Sequence, residues 1–166
     1  MDAKKIIEGK RVLIVDDEAD VLETLIDLLS DCKIDAASSF EQAKEMLEKN
    51  AYDIAVLDIM GVNGYELLKI TREKQVPALM LTAHALSPDN LKRSAEEGAA
   101  YYAPKEKMHD IEIYLADVID SIEKKKSPWQ KMFDRLDSFY TKKFNGTDWR
   151  DKEKEFWKKK TQYTVF

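Results

Sequence analysis

The sequence predicts an α/β fold, a doubly wound five-stranded parallel sheet, with a short helical extension at its C-terminal end. Three observations predict it. Apolar runs of strand length alternate with segments of helical periodicity through residues 11–123, which implies parallel strands joined by right-handed crossovers. Successive runs are followed by polar residues able to do chemistry. Asp16 and Asp17 follow Val12-Leu13-Ile14-Val15, Asp58 follows Ile54-Ala55-Val56-Leu57, Thr82 follows Ala78-Leu79-Met80-Leu81, and Lys105 lies beyond Ala99-Ala100-Tyr101-Tyr102-Ala103. Beyond residue 123 the pattern changes to lysines and large aromatics.

The elements follow in order. A first strand over 11–15 leads into a helix carrying Val21, Leu22, Leu25, Ile26, Leu28 and Leu29. A second strand over 34–38 has little apolar bulk, which suits an edge. The next helix starts near Ser39 and turns Ala43, Met46 and Leu47 inward. A third strand covers 53–57, and a helix from Gly64 carries Tyr65, Leu67, Leu68 and Ile70. Pro77 opens a fourth strand, a position where proline is tolerated. Ser87-Pro88 starts the fourth helix, serine as N-cap and proline as first helical residue, and Gly98 ends it. A short strand over 100–103 precedes a helix with Ile111, Ile113, Tyr114, Leu115, Val118, Ile119 and Ile122. A flavodoxin-like strand order, 2-1-3-4-5, puts the switch point between strands 1 and 3, where Asp16, Asp17 and Asp58 end their strands.

The 166 residues allow one domain plus an extension, and the 44% apolar content is ordinary for a globular chain. The single cysteine, Cys32, has no internal disulfide partner, which fits a reducing, cytoplasmic setting. No signal-like or membrane-spanning apolar run is present in the sequence. The net charge of −5 is unevenly spread. Residues 124–166 hold 13 Lys/Arg against 6 Asp/Glu, a net +7, which leaves −12 for residues 1–123. An acidic body argues against nucleic acid as its ligand, and the basic segment suits an acidic surface, including that body.

Carboxylates gathered in one crevice repel one another unless a cation joins them. An acidic cluster with a hydroxyl and one ammonium at the ligand-binding edge of such a sheet suggests metal-assisted phosphoryl chemistry. No G-x-G-x-x-G, Walker loop or nucleophilic Ser or Cys in context argues for a conventional enzyme.

Over about residues 9–123 the sequence resembles the receiver domain of two-component response regulators. The matching pieces are Val12-Leu13-Ile14-Val15-Asp16-Asp17-Glu18, Val56-Leu57-Asp58-Ile59-Met60, Leu81-Thr82-Ala83, and Gly98-Ala99-Ala100-Tyr101-Tyr102 before Lys105. The resemblance implies that Asp58 accepts a phosphoryl group from a histidine kinase or a phosphotransfer protein. It implies Mg²⁺ held by Asp16, Asp17, Asp58 and the backbone carbonyl of Met60. Lys105 and Thr82 would bond the phosphoryl oxygens, and Tyr102 would be a switch aromatic that turns inward as Thr82 moves. His84 lies two residues after Thr82, where the family tunes dephosphorylation, and an idle loop histidine is an equal reading. Any catalysis would be of the protein's own aspartyl phosphorylation and dephosphorylation. Two departures stand out. The loop Ile59-Met60-Gly61-Val62-Asn63-Gly64 lacks the usual proline and is about two residues short, so a tighter or displaced loop is expected. Lys105 is followed by Glu106 instead of proline, so a trans bond is expected.

Lys124-Lys125-Lys126-Ser127-Pro128 reads as a break between the receiver, residues 9–123, and a basic, aromatic-rich extension over 124–166. In the extension Trp129, Met132, Phe133, Leu136, Phe139, Tyr140 and Phe144 recur at helical spacing. Asn145-Gly146 stops that helix, and a second helix from Thr147-Asp148 carries Trp149, Phe156 and Trp157. Such an apolar face calls for cover. Two helices docked on the receiver or paired with a second copy are expected, with another protein or an anionic surface as rival occupants. Phosphorylation would then act by shifting that contact through the Tyr102 side. Three functions follow from this reading. They are a phosphorylation switch acting through protein contacts, a receiver-like interaction module that is never phosphorylated, and a DNA-binding regulator using the basic segment.

Overall fold

A computed structural model describes residues 1–162; residues 163–166 of the expected extension lie outside the described part. Five parallel strands, β1 (Arg11–Val15), β2 (Lys33–Ala37), β3 (Ile54–Leu57), β4 (Ala78–Thr82) and β5 (Tyr101–Pro104), form one sheet of order β2-β1-β3-β4-β5. This is the expected flavodoxin-like order, one of the doubly wound solutions open to alternating strands and helices. β3 and β4 are buried along their whole length, as the central strands of a sheet covered on both faces must be. β2 is half-exposed along most of its length, the edge its thin apolar content foretold.

The helices are α2 (Ala19–Leu28), α3 (Phe40–Lys49), α4 (Gly64–Glu73), α5 (Pro88–Glu96) and α6 (Ile111–Glu123). Local chemistry sets their starts. Ser39 Oγ accepts from the Gln42 amide at 3.2 Å, and Ser87 Oγ from the Asn90 amide at 3.1 Å with Pro88 as the first helical residue. Two further elements join them. A short helix α1 (Ala3–Ile7) packs on α6 and buries Ile7, and a 3₁₀ stretch (Lys105–Asp110) links β5 to α6. Neither was anticipated, because five residues and an irregular turn carry no usable periodicity.

The extension folds as α7 (Pro128–Lys143), α8 (Asp148–Asp151) and α9 (Lys154–Gln162). The expected second helix is therefore two pieces. In one straight helix residues 149 and 157 would stand about 12 Å apart along the axis. The turn after α8 brings their rings to 6.4 Å, and Trp157 Nε1 donates to the Trp149 carbonyl at 3.4 Å. Phe133 lies between both indoles, its ring 5.2 Å from Trp149 and 5.1 Å from Trp157. Of the face expected on α7, Trp129, Met132, Leu136 and Tyr140 are buried, while Phe133 and Phe139 are half-buried.

The extension docks on the receiver, along β5 and α6. β5 is an edge strand, and an open edge is a hazard that proteins cover. Here the cover also supplies donors. Trp129 Nε1 donates to Ala99 O at 3.1 Å and Tyr140 OH to Tyr102 O at 2.7 Å. Beside them the fully buried Asp117 of α6 accepts from Tyr101 OH at 2.8 Å and from Arg135 of α7 through both oxygens, at 3.0 Å for Nη2. A buried carboxylate needs such partners. The remaining cross-links, Lys92–Glu153 and Lys143–Glu106, are surface pairs of little net worth. Lys92–Glu153 even joins a receiver cation to an anion of the extension. Apolar burial, more than the opposed net charges, holds the extension down.

Because Trp129 is fully buried and its indole N–H is bonded, Trp129→Ala should lose about 3–5 kcal/mol of unfolding free energy. Urea denaturation of the full chain measures it, and a loss under about 1 kcal/mol would mean that the docked face contributes little.

Candidate functional site at the carboxyl edge of the sheet

The register of the sheet assembles the site. Val15 is level with Leu57, so Asp16 and Asp58 follow neighbouring strands side by side. Their amides continue the ladder: Asp58 N donates to Val15 O at 3.0 Å and Asp16 N to Ala37 O at 3.1 Å. Thr82 is level with Pro104, which brings Lys105 to the same edge one strand further out. The ammonium then reaches back across the crevice. Lys105 Nζ lies 2.7 Å from Asp16 Oδ2, 3.0 Å from Asp58 Oδ2 and 3.1 Å from Glu18 Oε1. Lysine, Asp16 and Asp58 are all buried, so these are charge-assisted bonds in a poorly solvated place. Asp58 Oδ1 accepts from Ile59 N at 2.9 Å and Asp16 Oδ1 from Glu18 N at 2.9 Å.

One ammonium serves three carboxylates, and the ionisation of Lys105, Asp16 and Asp58 reflects their burial and their contact. Burial alone would lower Lys105, but hydrogen bonds and attraction from Asp16 and Asp58 hold it above the usual lysine range. Burial raises Asp58 above the ordinary carboxylate value, and the neighbouring Asp16 adds to the rise despite Lys105. Asp16 is raised by burial, and its bond to Lys105 offsets only part of that.

The carboxylates of Asp16, Asp17, Glu18 and Asp58 each offer an oxygen, all within 4.8 Å of one another. Hard oxygen donors clustered in this way suit Mg²⁺. Asp17 is exposed, and its carboxylate lies against Gly61 so closely that a Cβ there would overlap it. Met60 stands two residues after Asp58 and is 54% exposed, and its carbonyl accepts no hydrogen bond among the described residues. The loop is tight, as its length suggested. Gly64 N donates to Ile59 O at 3.0 Å, Gly61 and Asn63 take positive φ of 85° and 54°, and Gly64 presses on the Asp58 carbonyl where a Cβ would collide. No peptide bond among the described residues is cis, so Lys105–Glu106 is trans as expected.

Thr82 is buried at the end of β4, and its Oγ1 accepts from Ala85 N at 3.3 Å. Among the described residues it makes no hydrogen bond to Asp58. Tyr102, the expected switch aromatic, faces inward and is fully buried, its hydroxyl donating to Ala85 O at 2.7 Å and accepting from Ser87 N at 3.2 Å. The Tyr140 ring of the extension packs 5.7 Å from that of Tyr102. His84 is exposed on the same loop. Glu18 was given no role from sequence. It occupies the N-cap of α2 but makes no capping bond, and its side chain goes to Lys105. The third acid of the run Asp16-Asp17-Glu18 was the available signal.

The structure is thus a five-stranded parallel sheet of order 2-1-3-4-5 with an acidic crevice and one lysine at its carboxyl edge. Comparison with known proteins names the class. The family model for the response regulator receiver domain matches residues 12–115, and the chain belongs to that family, the receiver domains of two-component systems. It is 35% identical to the two-component response regulator ARR18 of Arabidopsis thaliana over 103 residues, covering 58% of this chain and 16% of that protein. It is 35% identical to the regulatory protein VanRB of Enterococcus faecalis, covering 57% of this chain and 45% of the relative. The chain thus spans less than half the length of these relatives. Among solved structures, a CheY-like receiver domain from Methanospirillum hungatei superposes with a TM-score of 0.64 at 25% identity, over 70% of this chain and 98% of that one. A response regulator structure from Chloroflexus aurantiacus gives 0.61 at 30% identity, over 68% and 99%.

The raised carboxylates have a consequence for stability. A group whose folded pKa lies above its unfolded value of 3.8 favours folding fully below that value and loses the contribution as pH rises through the folded one. At neutral pH without divalent metal the ionised Asp58 therefore costs stability. Asp58→Asn should raise the urea midpoint at pH 7 in chelator, and the gain should shrink as pH falls through the carboxylate range towards 3.8. A midpoint lowered at pH 7 would show that the bond to Lys105 outweighs the crowding.

Proposed function

We propose that this protein is a phosphorylation-controlled switch of a two-component or phosphorelay system in the cytoplasm, with Asp58 as the phosphoacceptor. The observation that carries the reading is the Asp58 carboxylate, buried at the sheet's ligand-binding edge between the Lys105 ammonium and the Ile59 amide, with Asp16 beside it. The donor would be a phosphohistidine on a sensor kinase or phosphotransfer protein. Asp16, Asp17 and Asp58, with the Met60 carbonyl, would hold Mg²⁺, and Glu18 lies within the same cluster. When bound, Mg²⁺ would neutralise charge on the transferring phosphoryl group. Lys105 would keep its ammonium against the phosphoryl oxygens, and Thr82 would offer its hydroxyl hydrogen to them. The output would pass through protein contacts. The aromatic face of the extension is buried against the receiver while lysines such as Lys142, Lys158 and Lys159 stay exposed, so the DNA-binding reading keeps only a sequence-independent phosphate contact. The short loop after Asp58 favours the second reading, a receiver-like module that is never phosphorylated, and one experiment separates the two.

Incubation with an acyl phosphate and Mg²⁺, followed by mass spectrometry, should give an acid-labile gain of one phosphate in the wild type and none in Asp58→Asn. Equal labelling of both would remove Asp58 from the mechanism, and no label on either would favour the module. Mg²⁺ itself should stabilise the unphosphorylated protein by about 2.7 kcal/mol at roughly a hundred times its dissociation constant. Thermal melts with and without millimolar Mg²⁺ should differ in the wild type and converge in Asp17→Asn; identical wild-type melts would exclude the metal site.

A further inference from the structure

We propose that Tyr140, on the extension, is a positioning residue for the phosphoacceptor site. The proposal rests on the Asp58 reading and adds a route by which the extension acts on it. Hydrogen bonds run without a gap in residues from α7 to the end of β4. Tyr140 OH donates to Tyr102 O at 2.7 Å. The Tyr102 hydroxyl donates to Ala85 O at 2.7 Å and accepts from Ser87 N at 3.2 Å. Ala85 N donates to Thr82 Oγ1 at 3.3 Å. Tyr140, Tyr102 and Thr82 are all fully buried, so water does not compete for these bonds.

The direction of the effect follows from the hydroxyl inventory. A threonine hydroxyl has one hydrogen to donate besides its lone pairs. With the Ala85 amide on a lone pair, that hydrogen remains for an acceptor at the edge where Asp58 lies. Residues 83–87 form an otherwise irregular connection, with Ala83 and His84 exposed. Holding it in one arrangement before the phosphoryl group arrives removes an ordering cost from phosphorylation. The docked extension therefore favours phosphorylation, and by reciprocity a phosphoryl group on Asp58 tightens docking. A tether that merely blocked the domain would act in the opposite sense.

The test compares two conservative substitutions in the full chain. Tyr140→Phe keeps the ring and loses the bond to Tyr102 O. Trp129→Phe loses a comparable bond from the extension, to Ala99 O at 3.1 Å, but Ala99 precedes β5 and lies outside the route to Thr82. With an acyl phosphate and Mg²⁺, Tyr140→Phe should slow labelling of Asp58 about fivefold, the equivalent of one neutral hydrogen bond. Trp129→Phe should leave the rate within about twofold while lowering the urea midpoint similarly. Hydrogen exchange of the unmodified proteins gives a second readout. The Ala85 and Ser87 amides should exchange faster in Tyr140→Phe and not in Trp129→Phe. Equal effects of both variants on rate and exchange, or none from Tyr140→Phe, would overturn the positioning role. If the wild type takes no label at Asp58, it is the phosphoacceptor reading that falls, and the exchange comparison still decides whether Tyr140 sets the loop.

Discussion

The site depends on one ammonium placed among more negative charge than it can neutralise. Lys105 bonds Asp16, Glu18 and Asp58 at once, and Asp17 stands beside them. With two carboxylates and the lysine buried, solvent cannot make up the deficit. Such a cluster holds free energy that a divalent cation would release. Bonds to Asp16 and Asp58 hold the lysine above its usual range, while burial raises Asp16 and Asp58 above theirs. The sheet register sets the geometry: Asp16 and Asp58 end adjacent strands in step, and the ladder hydrogen bonds of their own amides fix them there.

The far side of the domain is ruled by a different constraint, the cost of an open sheet edge. β5 consists of two tyrosines, an alanine and a proline, and carbonyls along this edge need donors. The extension meets both needs with a tryptophan and a tyrosine whose polar tips reach backbone oxygens while their rings fill the face. Asp117 shows that the match is specific. A fully buried carboxylate on α6 would be costly without Arg135, and Arg135 belongs to the extension. Removing the extension would therefore leave the receiver with a bare apolar edge and an under-compensated buried charge, so the two parts form one packed body.

These two regions meet at the loop between β4 and α5. Its Ala85 amide donates to the Thr82 hydroxyl at the end of β4, and its Ala85 carbonyl is anchored by Tyr102, which the extension covers. The face of the domain beside Tyr102 is thus already occupied by the chain's own helices.

The sequence by itself determined the alternating parallel sheet and the strand ends at which Asp16, Asp58 and Lys105 stand. Strand runs such as Ile54 to Leu57 and caps such as Ser39 and Ser87 act locally, and their signals lie within a few residues. Asp16, Asp58 and Lys105 were legible because a polar residue after an apolar strand has only the sheet edge to occupy. The aromatic period of residues 129–140 likewise announced a helix needing cover. Tertiary structure alone decided what that helix covers and how. The inward lock on Tyr102, the pairing of Arg135 with Asp117, and the break between Trp149 and Trp157 all depend on partners distant along the chain. So does the use of Glu18, whose local role would have been a helix cap. Periodicity reports which face of an element is apolar; it carries no record of which distant carbonyl or carboxylate that face will meet.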